Sequence, residues 1–197
     1  MTERGMIFNA EMVRALLSGR KTQTRRPVKF PVHDKNLGCE LAGNELAGEL
    51  SAGNYLNSAF GKPGDRIWVR ETWNKYGGLL TYRADHDWID DMRKETVCTA
   101  KWVPSIHMPR WASRILLEIT VVRVERLNAI SQEDAQAEGM ELTGWRPTYS
   151  DPDSGGEVMT PYDNFAELWS SIYGDESWKA NPWVWVISFK RVEGGAV

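Results

Sequence analysis

The run Ile115-Leu116-Leu117-Glu118-Ile119-Thr120-Val121-Val122-Arg123-Val124-Glu125-Arg126-Leu127 alternates apolar and polar residues. Ile115, Leu117, Ile119 and Val121 fall on one face, with Glu118 and Thr120 on the other, the period of a strand with one buried side. Its length fits a long, bent barrel strand. Shorter strands are predicted over 6–8, over 66–71 behind the turn signal Pro63-Gly64-Asp65, and over 79–84. A last strand over 183–191 sets Trp183, Trp185, Ile187 and Phe189 on one face.

Three helices are interposed. Asn9 caps the first, whose apolar face carries Met12, Val13, Leu16 and Leu17 before Gly19 ends it. Ser131 caps a short helix over 132–138, with Asp134 as a capping-box variant and Gly139 as its stop. Thr160-Pro161 opens the third over 162–173, with Phe165, Leu168, Trp169 and Ile172 as its buried stripe. Helices spaced this irregularly do not give the βαβ rhythm of a parallel sheet. The fold class read from the pattern is α+β, a small and mostly antiparallel β-barrel decorated by helices. At 197 residues the chain is most economically one domain over 1–197. Two stretches read as insertions: 34–62, partly helical or mobile, and 143–161, a long surface loop.

Composition is that of a globular protein, with 42% apolar and 26% charged residues. Met1-Thr2-Glu3-Arg4 leads into no apolar core of a signal peptide, and the longest apolar stretch, residues 183–187, is too short to span a bilayer. A cytoplasmic protein without a membrane partner is expected. Cys39 and Cys98 make neither a disulfide framework nor a zinc site, so no metal or cofactor is expected. Most of the ten tryptophans read as core and rim packing, with one or two available as a stacking wall for a base.

The net charge of −3 argues against an indiscriminate polyanion binder. The charge is uneven, however. Arg14, Arg20, Lys21, Arg25, Arg26 and Lys29 follow one another with no acid between them, while acids gather over 85–91 and 133–141. A local positive site on an acidic body suits a small anionic or nucleotide-like ligand. By residue type the segment admits three readings. Lys21 among arginines has a lowered pKa and acts as a base toward a neighbouring hydroxyl; the cluster cradles a phosphate; or it is a solvated cationic helix end.

Helix-Gly19-Arg20-Lys21-Thr22-x-Thr24-x-Arg26, then Pro63-Gly64-Asp65, Glu138-Gly139-Met140 and the final Trp185-Val186-Ile187-Ser188-Phe189-Lys190, resembles the ASCH family of PUA-like proteins. Residues 69–73 and 105–114 look like a phage or prophage branch of it. The resemblance runs over about residues 6–191 and implies a PUA-like barrel with a cleft for RNA, nucleotides or nucleosides. Small bacterial members are amidohydrolases that deacylate N4-acetylcytidine without a metal. Their catalytic lysine, threonine and glutamate match Lys21, Thr24 and Glu138. On that analogy Thr24 is the nucleophile, Lys21 its general base, and Glu138 orients the lysine or serves in proton transfer. Arg20, Arg26, Arg70, Glu71, His107 and Arg110 are the candidate substrate-binding residues, with His107, Arg110 and Arg114 read as a second basic patch. The partner is then a nucleoside or modified base. The rival reading is an RNA-binding module or ribonuclease with single-stranded RNA in the same cleft, and a third is a phage accessory protein acting through protein contacts. A pure phosphate binder has no need of the Glu138 carboxylate, which repels phosphate.

Overall fold

A computed structural model describes residues 1–86, 101–141, 143–146 and 157–192. The protein is α+β, with a mixed sheet. Contacts divide the chain into two compact units, each assembled from segments distant in sequence. Among the described residues no helix is long and apolar enough to cross a membrane.

The first unit takes residues 1–19, 64–119 and 189–197. Strand β1 (Glu3–Ile7) runs parallel to β5 (Arg66–Arg70), and β5 is antiparallel to the start of β8 (Leu116–Arg126). Helix α1 (Ala10–Leu17) is capped by Asn9, whose side chain accepts from Met12 N. It buries Val13 and Leu16, and Phe8, Ile67, Val69, Ile115 and Leu117 of the same unit are buried as well. Strands β6 (Trp73–Tyr76) and β7 (Leu79–Tyr82) form a hairpin, followed by 3-10 turns at Arg83–Asp85, Ser105–His107 and Arg110–Ala112.

The second unit takes residues 20–63 and 120–188. Strand β2 (Gln23–Pro27) is antiparallel to β11 (Trp183–Arg191). Val184 and Val186 on one side of β11 pack with Leu127, Ala135, Phe165 and Trp169. Two of the packing helices carry the expected caps: Ser131 on α3 (Gln132–Ala137) and the Thr160–Asp163 capping box on α4 (Pro161–Tyr173). A short α5 (Asp175–Lys179) follows.

Two expectations change, and the 34–62 insertion takes the partly helical of its two readings. The buried positions of β8 run Leu117, Ile119, then Val122, Val124, with Thr120 and Val121 both exposed. The alternation resets there, so Val121 leaves the buried face. Residues 143–161 are not simply a loop, because β9 (Thr143–Arg146) and β10 (Glu157–Met159) pair antiparallel at its ends; the stretch 147–156 lies outside the described residues. The insertion at 34–62 is a packed piece of the unit. The pair β3 (Val32–His33) and β4 (Glu40–Leu41) enters it, and α2 (Gly43–Ser51) buries Leu46 and Leu50.

The first residue of α2 is held to glycine by close approach. A Cβ on Gly43 would lie 2.3 Å from the Trp183 indole. The Arg126 guanidinium lies over that same ring, 4.5 Å from its centre. Forcing an atom into such packing costs about 1–3 kcal/mol. Gly43→Val is therefore expected to lower the unfolding free energy by that amount, read in chemical unfolding as a lower denaturant midpoint at an unchanged slope.

Candidate functional site

Lys21 enters its site through the backbone. Thr22 N donates to Ala137 O at 2.7 Å, tying the basic segment to the last turn of α3. Glu138 caps that helix, and Gly139 follows at φ +96°, a left-handed turn that favours glycine. The turn leaves Glu138 aimed back at the segment. Lys21 Nζ donates to Glu138 Oε2 at 2.6 Å and to the Glu138 carbonyl at 2.8 Å, between side chains that are 0% and 3% exposed. The partners are 117 residues apart in sequence.

The second oxygen of Glu138 belongs to Arg25. Arg25 Nη1 reaches Glu138 Oε1 at 3.4 Å and donates to Gln23 Oε1. Its Nη2 bridges Glu125 Oε1 at 2.7 Å and Asp134 Oδ2 at 2.8 Å. Arg123 closes the ring, with Nε on Glu125 Oε2 at 3.0 Å and Nη2 on Asp134 Oδ2 at 2.6 Å. Lys21, Arg25 and Arg123 thus balance Glu125, Asp134 and Glu138 in charge. The Phe165 ring lies under the Arg25 guanidinium at 5.8 Å.

Burial pushes the Lys21 amine below its ordinary range. Glu138 works the other way through charge and hydrogen bond, and the charges of Arg26 and Arg25 add to the lowering. Burial pushes Asp134 upward, but its Gln23 hydrogen bond and the Arg123 and Arg25 charges outweigh this and leave its carboxyl below the usual range.

The faces of β2 separate the remaining residues. Gln23 and Arg25 turn to α3, since both bond Asp134. Alternation turns Thr24 and Arg26 to the opposite face, opposite Ile187 and Trp185 of β11. Lys21 precedes the strand, and its amine feels Arg25 of one face and Arg26 of the other. The structure therefore brings Lys21 and Glu138 into contact and sets Thr24, which is buried, on the Arg26 side of the strand.

That side holds a cavity of about 460 Å³ lined by Arg26, Lys29, Asn57, Phe60, Tyr173 and Trp185, together with smaller apolar residues. Phe60 meets Trp185 edge to face at 5.8 Å. Asn57 and Phe60 come from the 34–62 insertion, which thus builds one wall.

Arg20 makes a surface pair with Glu141 at 2.5 Å, the side chains being 45% and 57% exposed. The other four candidates lie in the first unit. Arg70 donates to the Ile106 carbonyl and stacks on Trp68. Glu71 is buried and pairs with Arg114, whose fork takes both its oxygens at 2.9 and 3.0 Å. Burial raises the Glu71 pKa against the pull of Arg114. Carboxylates lie against the second basic patch. Arg114 is also held by Asp85 at 2.7 and 2.9 Å, and Arg110 by Glu3 at 3.0 Å, so carboxylates offset both of its arginines. His107 is exposed on a 3-10 turn.

Sequence reasoning placed Arg25 only among the cations around Lys21 and Asp134 only in a helix cap, and it missed Arg123 and Glu125. The signals for this cluster were alternate charges at 123 and 125 in a strand, and carboxylates at 134 and 138 on one face of a short helix.

Fold and site define an α+β protein with a buried lysine–glutamate pair and an aromatic, cation-lined cavity in one unit. No family model matches the chain, and no curated protein does. Among solved structures it is similar to protein EF3133 from Enterococcus faecalis V583, of the family DUF984. The TM-score is 0.41 at 12% identity, over 98% of this chain and 81% of that one. A likeness at this level carries no weight for function.

Removing Arg25 would take a buried cation from three carboxylates and leave Glu125 and Asp134 to Arg123 and Glu138 to Lys21. Breaking a buried ion pair by deleting one partner costs about 3–5 kcal/mol. Arg25→Met is expected to lose that much stability at neutral pH in urea unfolding, and Arg20→Met less than about 1 kcal/mol, as for an exposed pair.

Proposed function

We propose that this protein is a PUA-like, ASCH-type amidohydrolase that deacylates an N4-acylated cytosine nucleoside or a related modified base. The observation that carries the reading is the buried Lys21 Nζ–Glu138 Oε2 contact at 2.6 Å. An amine withdrawn from water, with a lowered pKa and one fixed carboxylate partner, has the character of a general base. The base-bearing part of the substrate occupies the cavity of Arg26, Phe60 and Trp185, whose volume and aromatic walls suit a nucleoside-sized ligand. Neutral Lys21 takes the Thr24 hydroxyl proton, and Thr24 Oγ1 attacks the amide carbonyl. The tetrahedral oxyanion collapses, and the cytosine amine leaves with the proton held by Lys21. Water then hydrolyses the acyl-threonine ester, regenerating Thr24. Glu138 orients Lys21.

The RNA-binding reading is less well supported. Lys21 and Arg25 are sequestered by carboxylates, and Arg20 is paired with Glu141. Little of the segment's charge therefore faces a long polyanion.

Cytidine release from N4-acetylcytidine tests the reading. Lys21→Ala and Thr24→Ala are each expected to slow turnover by about 10²–10⁴-fold, the usual worth of such groups. Unchanged turnover in both removes the mechanism. The pH profile adds a signed test. Turnover rises with pH through the Lys21 pKa, because the neutral amine is the base. Burial lowers that pKa and Glu138 raises it, so Glu138→Gln moves the limb to lower pH while lowering the maximum. A limb moving to higher pH contradicts the assignment of Lys21.

A further inference from the structure

Glu138 carries a different cation on each oxygen. Oε2 accepts from Lys21 Nζ at 2.6 Å, and Oε1 lies 3.4 Å from Arg25 Nη1, all three side chains being 3% exposed or less. The two cations differ in kind. A buried lysine is able to lose its proton, whereas an arginine keeps its own. When the Lys21 N–H bond breaks, the electron pair stays on Nζ and the proton passes to water. A buried carboxylate then remains beside the amine. Without a second cation it is costly, and it draws the proton back.

The charges around this pair come from three elements. β2 supplies Arg25 and Arg26, both of which act against the ammonium form of Lys21. β8 supplies Arg123 and Glu125, and α3 supplies Asp134. α4 presents the Phe165 ring to the Arg25 guanidinium. Glu125 and Asp134 take Arg25 Nη2 at 2.7 and 2.8 Å, so they draw on the same guanidinium that serves Glu138. Arg123 binds both acids and offsets part of that draw. A ring that only fastened α3 to β2 would have no bearing on the proton of Lys21. This one ends on the carboxylate that holds it.

We propose that Arg25 is a positioning residue that acts on Lys21 through Glu138: it is the cation that stays on the carboxylate when the amine is neutral, and Glu125 and Asp134 govern how much of its charge Glu138 receives. The proposal rests on the deacylase reading only where it makes that amine a base. The signs are opposite around the ring. Removing the Arg25 charge leaves Glu138 to the ammonium alone and raises the proton affinity of Lys21. Removing the Glu125 charge frees the guanidinium for Glu138 and lowers it.

NMR titration of the full chain with isotope-labelled lysine reads this directly, the Lys21 signal being assigned by its loss in Lys21→Met. Arg25→Gln is expected to move the Lys21 titration to higher pH and Glu125→Gln to lower pH. Each shift exceeds that of Arg20→Gln, whose exposed charge is screened by water. The rising limb of the pH–rate profile for cytidine release moves with the titration. No shift or a downward shift in Arg25→Gln overturns the proposal, as does a shift of equal size in Arg20→Gln. A titration that stays or rises in Glu125→Gln overturns it too, and decides alone where Arg25→Gln does not fold. The titration needs no substrate, so the two readings separate. Shifts of these signs with no cytidine released keep the positioning role and remove the deacylase; cytidine release with no shift in Arg25→Gln does the reverse.

Discussion

The contact on which the second unit depends is the fork of Arg25 on Glu125 and Asp134, with Glu138 at its edge. Charges taken from water are tolerated only when each finds opposite charge and hydrogen bonds in good geometry. Arg25 meets it at both Nη atoms, reaching β8 through Glu125 and α3 through Asp134 and Glu138, while its buried Nε has no hydrogen-bond partner among the described residues. Apolar contacts among Leu127, Phe165, Trp169 and Val184 supply burial, but they do not by themselves set direction. The guanidinium does, since its planar fork admits few arrangements. With α3 held to β2 in this way, Glu138 arrives beside Lys21 without an adjustment of its own.

The two buried glutamates make an instructive pair. Glu71 gives both oxygens to one arginine, Arg114, which also grips Asp85 and lies over Tyr82 at 4.0 Å. An arginine does not give up its proton in a protein, so that cluster is a clamp. Glu138 divides its oxygens between Arg25 and a lysine. A lysine shifts its pKa readily when buried and is able to lose its proton. Similar burial thus surrounds a cation that keeps its proton in one cluster and one whose pKa burial lowers in the other.

Misread elements share a cause. The apolar positions of β8 were visible, yet the reset at Thr120-Val121 was not, since a one-residue change of phase leaves composition untouched. The arginines at 110 and 114 looked like a basic patch because their acids, Glu3, Glu71 and Asp85, are 29 to 107 residues away along the chain. The strand pair β9 and β10 escaped notice because its members are only four and three residues long, too short to show an alternation.

Read alone, the amino-acid order determined what forms within a turn of itself: the caps at Asn9, Ser131 and Thr160, the left-handed stops at Gly19 and Gly139, and the helices and strands they bound. Those signals act over four residues or fewer, so local chemistry suffices to state them. Only the folded chain decided that Lys21 meets Glu138, that Arg25 binds three carboxylates, and that an inserted segment walls a cavity beside Trp185. Ion pairs and cavities form between surfaces that closure of the chain brings together across more than a hundred residues, and no local period encodes that meeting.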